Sequence, residues 1–257
     1  MDQTLHKLLF IALVILLAGC KKLPIYESSW GTEIANDQAR GFNSSYQLNW
    51  QTANTQDYIA IAISTKHRPT ITKILRTGFT VSFDPESGKE GKYSITYPVK
   101  PNESKEKPNN AEGIPRFGNG RGAGIPRQEL MNRMLKRLPR QVEMSTIYGE
   151  QIVKSDSLPK GYNAHISFSD DGTLTYQLII PRKDFALEDL NSLSIGLKSG
   201  AVDISNFSNR MGPQAGTKRS GADGDRRLPS ADNSIMAQLA ELEDPIKIWF
   251  IVNLAQD

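Results

Sequence analysis

Apolar residues recur with a period of two in one segment after another, and this constrains the fold more than any other feature of the chain. In "DYIAIAIST" (57–65), Ile59, Ile61 and Ile63 fall on one side of an extended backbone, with Tyr58, Ala60 and Ala62 on the other. Successive strand side chains point to opposite faces, so the segment is expected to be a strand covered on both sides. "FTVSFD" places Phe79, Val81 and Phe83 inward with Thr80 and Ser82 outward, and "YSITYP" does the same with Tyr93, Ile95 and Tyr97. The polar stretch 84–92 between them predicts a hairpin. A second hairpin sets Ala164, Ile166 and Phe168 against Leu174, Tyr176, Leu178 and Ile180 across an Asp171-Gly172 turn. "SYQLNW" (45–50), "LSIGL" (193–197) and "IKIWFIVNL" (246–254) add further strands.

Helical spacing is scarce. "PTITKILRTG" (69–78) has Ile71, Ile74 and Leu75 on one face, Pro69 near its start and Gly78 as its stop. "RQELMNRMLKRL" (127–138) carries Leu130, Met131, Met134, Leu135 and Leu138 on a stripe, with Arg133, Lys136 and Arg137 opposite. Such a basic amphipathic helix can lie on a membrane, but covering a sheet is the expected role. "SIMAQLAELEDP" (234–245) is a third helix, stopped by Pro245. Many alternating strands without a βαβ rhythm make the chain mainly β, an antiparallel β-sandwich with a few short helices.

Two long stretches interrupt this pattern, at about 100–126 and 206–233. Both are rich in Gly, Pro, Asn and charge, and neither can bury enough apolar surface to offset its ordering entropy. They are expected to be disordered inserts. Lys100 to Arg140 holds ten Lys or Arg against four Glu, while the whole chain is only +3. That basic run could meet acidic lipid or polysaccharide, but a solvated loop is the simpler expectation. Gly118, Gly120, Gly122 and Gly124 do not form a phosphate loop, because no strand leads in and no Gly-Lys-Ser/Thr follows.

The N-terminus gives an address. Leu8 to Leu17 is an unbroken apolar run, too short to span a bilayer and suited to a secretory leader. It leads into Leu17-Ala18-Gly19-Cys20, which resembles a bacterial lipobox. The resemblance implies a diacylglycerol thioether on Cys20, cleavage before it and fatty acylation of the new amine. It also implies a lipid-anchored protein outside the cytoplasm, and Lys21 after the cysteine is compatible with the outer membrane. The expected organisation is a leader at 1–19, an acylated N-terminus and tether at 20–29, and the sandwich at 30–257. Cys20 is the only cysteine, so no disulfide can staple the fold and no cysteine-based zinc site can form. In that compartment the partner is the membrane and a carbohydrate or protein ligand, with no nucleic acid.

A wider resemblance rests on "YQLNWQTANTQDYIAIAIS", "KILRTGFTVSFDP", "YSITYP", "LTYQLIIP" and "LSIGL". These segments resemble the core of uncharacterised Gram-negative lipoproteins, themselves distantly similar to family 9 carbohydrate-binding modules and DOMON domains. The resemblance covers strand pattern over roughly 45–100 and 160–200, plus the last strand. It implies a sandwich whose work is binding, carbohydrate included. It also leaves a haem-binding redox domain as a rival.

No reaction is named by the residues. His67, in "STKHRP", and His165 are the only histidines after the leader, and no metal or cofactor is expected. A glycosidase would need two carboxylates facing one bond. Asp84, Glu86, Asp170, Asp171, Asp184, Glu188 and Asp189 instead fall in turns or at helix starts, where carboxylates bind local backbone. The expectation is therefore a binding module without catalysis, with a glycan-processing enzyme as the alternative. Trp50 and Trp249 are expected in the core; Trp30 and His67 are the candidate ligand contacts.

The anchor is directly testable. Cys20→Ser removes the thiol that would form the thioether, so the variant should retain its leader or appear unlipidated in the soluble fraction. Mass spectrometry of the N-terminal peptide checks this. Cleavage and lipidation of the Cys20→Ser variant would remove Cys20 from the role.

Overall fold

The computed structural model describes residues 22–31, 33–34, 41–99, 127–204 and 239–256. The alternation read from the sequence separates them into two sheets. One has seven strands, in the order β1 (Ile25–Glu27), β13 (Lys247–Asn253), β12 (Ser192–Ser199), β6 (Phe79–Asp84), β7 (Tyr93–Val99), β8 (Gln141–Thr146) and β9 (Gly149–Lys154). The other has six. Its path is β10 (Asn163–Phe168), β11 (Leu174–Pro181), β5 (Tyr58–Thr65), β4 (Leu48–Asn54) and β2 (Ser29–Trp30), and β3 (Gly41–Asn43) shares the outer edge of β4 with β2. All pairings are antiparallel except β1 with β13 and β2 with β4.

Both hairpins form in the expected register. Ala164 pairs with Leu178, Ile166 with Tyr176 and Phe168 with Leu174, while Phe79 pairs with Tyr97 and Val81 with Ile95. The inward residues of the two sheets meet in one core, in which Ile59, Ile61, Ile63, Phe79, Val81, Phe83, Leu193, Ile195 and Phe250 are buried. Aromatic pairs bridge the layers. Trp50 stacks on Phe250 at 4.8 Å, and Phe79 meets Tyr176 edge-on at 5.4 Å.

The helix α1 (Arg68–Thr77) closes one end of the sandwich against the ends of β6, β7 and β12. It buries Ile71, Ile74 and Leu75 and stops at Gly78, whose φ of 81° suits glycine and whose N–H donates to the Ile74 carbonyl. In α2 (Arg127–Lys136) Met131 is buried and Met134 and Leu135 pack on the core beside β10, so its apolar stripe covers the sandwich. The expected third helix is helical over 239–243, and its first part lies outside the described residues. The two expected inserts lie outside them as well.

Three differences from the sequence reading have physical causes. First, the tether assigned to 20–29 is too long. Residues 25–27 already form β1, and the chain then crosses at Ser28 to the other sheet as β2, bonding Asn253 and Asn54 carbonyls on the way. Second, β8 and β9 went unread. β8 buries Val142 and Met144, but β9 is an edge strand exposed on both sides, so its residues show no apolar alternation. Third, Trp249 faces outward. It pairs with Gly196, lies flat where a Cβ on that glycine would come within 2.7 Å of its ring, and has Lys198 Nζ 4.9 Å from its centroid. The loop after β6 buries Ser82 beside it, although that serine alternates outward.

The Trp50 stack depends on a missing side chain in β3. A Cβ on Gly41 would lie 2.0 Å from the Trp50 indole. Gly41→Ala should therefore cost about 1–3 kcal/mol, by lifting β3 or displacing the indole. Adding Trp50→Phe should recover part of the loss, a coupling readable by urea denaturation. Equal stability of Gly41→Ala and parent would show that β3 does not rest on the ring.

Candidate functional site

Where β5 ends, threonine side chains hold the turns together. Thr65 Oγ1 accepts from the His67 N–H at 3.0 Å and donates to the Gln47 carbonyl at 2.8 Å. One turn into α1, Thr70 Oγ1 donates to the Tyr46 carbonyl at 2.7 Å. The β3–β4 turn is thus pinned to the start of α1. The Tyr46 hydroxyl then donates to the Pro245 carbonyl at 3.0 Å, drawing in the segment that precedes β13. Among these three pieces opens a cleft of about 320 Å³, lined by Tyr46, His67, Lys73, Glu241, Asp244 and Lys247 among others.

His67 caps α1 with its backbone and lines the cleft with its ring. Its Nδ1 lies 3.1 Å from Thr70 Oγ1 and its Nε2 3.3 Å from Glu241 Oε2. The Thr70 hydroxyl proton is committed to Tyr46, so Nδ1 must be the donor in the first contact. The Glu241 contact becomes an ion pair when Nε2 is protonated too. In that form His67 ties α1 to the 239–243 helix.

Lys73 is the unusual member. It is only 2 % exposed, lies one turn after Thr70, and places Nζ 5.2 Å from the centroid of the Tyr46 ring. Among the described residues no hydrogen bond or ion pair reaches its ammonium, nor the Asp244 carboxylate on the same cleft. Burial pulls the Lys73 pKa below the ordinary lysine value, and the nearby Asp244 and Glu241 charges only partly offset this.

Arg182 shows what a spent buried cation looks like. Its guanidinium donates to the carbonyls of Leu187, Thr55, Glu188 and Leu190 at 2.7–3.2 Å, welding the turn after β11 to the β4–β5 turn. The turn carboxylates are spent likewise. Asp84 accepts from the Glu86 and Glu90 N–H groups, and Asp184 accepts from the Tyr162 hydroxyl at 2.7 Å. Burial, then that bond, raises the Tyr162 phenol well above its usual range. Asp171 takes Lys66 at 2.7 Å together with Ser169 and Thr173, which hold its carboxyl far below the ordinary value.

The two residues expected to contact ligand do not share a site. Trp30 is 43 % exposed on β2 opposite Asn54, whereas His67 follows the far end of β5. The length of β4, about 20 Å, separates them. His165 projects outward opposite Gln177, away from His67. Among the described residues no group of three or more His, Cys, Asp or Glu could hold a metal ion. Tyr46, Lys73, Glu241 and Asp244 were not singled out by sequence. The available signal was Lys73 in "PTITKILRT", three residues after Thr70 and beside Ile74, on the buried side of the helix.

No protein-family model, curated protein or solved structure matches the chain.

Lys73→Met tests the electrostatic reading. Below its lowered folded-state pKa the folded chain bears the full desolvation penalty; above the ordinary lysine value of 10.5 neither state is charged. The variant should thus be more stable than the parent at neutral pH, because methionine carries no charge to desolvate. Its advantage should shrink as pH rises toward 10.5. An advantage constant across that range would show that Lys73 is not desolvated by folding.

Proposed function

We propose that this is a lipid-anchored, extracytoplasmic binding module that holds a carbohydrate, without turnover, in the cleft between α1 and residues 239–247. One observation carries the reading: the ammonium of an otherwise buried lysine and the carboxylate of exposed Asp244 line one open cleft, and no described residue hydrogen-bonds either. Burial strips the Lys73 ammonium of part of its water, and a ligand whose hydroxyls replace that water offsets the loss. Adjacent ring hydroxyls match such a pair, because each can accept from Lys73 while donating to Asp244. Lys247 and the His67–Glu241 pair supply further polar groups at the rim. The lipobox-like Leu17 to Cys20 and a strand pattern that distantly resembles sugar-binding sandwiches support the same assignment. The site expected at the outer membrane meets glycans there.

The rival reading, glycan hydrolysis, draws on Glu241 and Asp244 lining the same cleft. Binding is preferred because Glu241, 3.3 Å from the His67 ring, is 48 % exposed and Asp244 is exposed too, so neither carboxylate sits in the desolvated setting of a glycosidase acid. Asp244→Asn separates the two. Neutral and acidic oligosaccharides of the bacterial surface, presented on an array and then titrated calorimetrically, should bind the parent without release of reducing ends. The variant should lose affinity by about tenfold or more with its melting temperature unchanged. Hydrolysis by the parent that Asp244→Asn abolishes, with binding retained, would establish the enzyme instead.

A further inference from the structure

Pro24 is fixed to the sandwich, since the Ile251 N–H donates to its carbonyl at 2.8 Å. Only four peptide links join it to Cys20, so the two Cα atoms are at most about 14 Å apart. A lipid on Cys20 places that residue at the membrane surface, and the headgroup layer is itself about 5–8 Å deep. On such an anchor the start of β1 stays within about 14 Å of the lipidated residue, so the edge formed by β1, β2 and β3 is the part of the sandwich nearest the bilayer. What that edge exposes fits the constraint. Ile25 is 60 %, Trp30 43 % and Phe42 56 % exposed, half of the six large apolar side chains exposed among the described residues. The others, Ile147, Tyr148 and Ile152, belong to the β8–β9 hairpin at the opposite edge, about 29 Å away across six strand spacings.

We propose that this edge is a membrane-contact surface, on which the sandwich stands with Trp30 seated at headgroup depth; the inference rests on the lipid anchor. Register places the three side chains around the edge. Ile25 pairs with Ile251, whose neighbours Phe250 and Val252 point into the core, so Ile25 projects from the outer face of the first sheet. Phe42 pairs with Asn49, between the inward Leu48 and Trp50, so it projects from the outer face of the second. Trp30 occupies the rim between them. An edge-on approach brings all three to lipid, whereas a face-on approach reaches only one sheet. An indole is favoured at the interface, being apolar in body with one N–H. Exposed Lys22 beside the anchor adds attraction to anionic headgroups.

The test uses the full acylated protein in vesicles of phosphatidylethanolamine and phosphatidylglycerol containing brominated phosphatidylcholine, whose bromines quench nearby indoles. The parent should co-float with the vesicles and show a quenched emission component that Trp30→Phe lacks. Trp50 is buried and Trp249 is retained in both proteins, so the difference reports Trp30. Moving the probe, as Trp30→Phe with Phe42→Trp, should restore quenching and guards against a folding artefact in the single variant. Co-flotation without bromine quenching at either position would leave the anchor standing and overturn the contact surface, leaving the edge free for a protein partner. Failure of the intact protein to co-float, with no lipid on Cys20 by mass, would overturn the anchor and this inference together.

Discussion

Everything else in the fold depends on the two sheets staying face to face without a covalent cross-link. The single cysteine precedes the first strand, so no disulfide can hold them. Trp50 carries much of that task. From the centre of β4 its ring stacks on Phe250 of β13, and Tyr26 of β1 closes on both edge-on at 5.4 and 5.6 Å. These rings belong to three strands far apart in sequence. Trp50 Nε1 and the Tyr176 hydroxyl are buried without a hydrogen-bond partner, and each belongs to an aromatic pair between the sheets. An unpaired buried donor costs about 1–3 kcal/mol. Ring packing over a large buried area is the compensating term at both positions.

Polar side chains complete what the rings begin. Asn54, fully buried, donates to the Ala255 carbonyl at 3.0 Å and accepts from the Ala255 N–H at 2.9 Å. Its amide thereby imitates a strand partner and fastens the residues after β13 to the second sheet. Ser28 and Gly31 do the same from the N-terminal side through the Asn253 and Asn54 carbonyls. With Arg182 saturating four carbonyls, most buried polar groups of the scaffold are accounted for. Lys73 differs from Arg182: its ammonium opens on the cleft beside the Tyr46 ring, and no described residue hydrogen-bonds it. Its neighbours Thr70, Tyr46 and His67 are all hydrogen-bonded, so the cleft is framed around an ammonium that faces whatever enters it.

The core was legible in sequence because period-two alternation is a direct imprint of one-sided burial. It was read in β5, β6, β11 and β12, which have neighbours on both sides; β8 also has two, but only Val142 and Met144 carry its alternation, too few apolar residues to mark it. Edge strands lose the imprint. β9 exposes Glu150, Gln151 and Ile152 alike, so nothing in its composition marks it as paired. Trp249 failed differently. It alternates with inward Ile248 and Phe250, which places it outside, although its place on a largely apolar strand suggested core; a glycine on the neighbouring strand gives it somewhere to lie. The cleft was hardly legible at all. Its residues come from the β3–β4 turn, α1 and the segment before β13, and only topology brings Tyr46 to Pro245 across nearly two hundred residues. Of the expected contacts His67 reaches it, and Trp30 belongs to another surface.

That separation links the two proposals physically. The β1–β2–β3 edge runs along the strands, and the cleft lies at the end of β4 and β5 where the β3–β4 turn meets α1. Phe42 and Tyr46 are four residues apart, so the last apolar contact of the edge borders the site. A sandwich standing on this edge therefore opens its cleft sideways, close to the lipid surface and not away from it. A glycan chain running along the membrane would meet Lys73 and Asp244 in that orientation, whereas one descending from above would meet the β9 and β10 edges first. On the proposed anchor, the four links between Cys20 and Pro24 would hold the domain near the surface, where a long tether would let it tumble and average this orientation away.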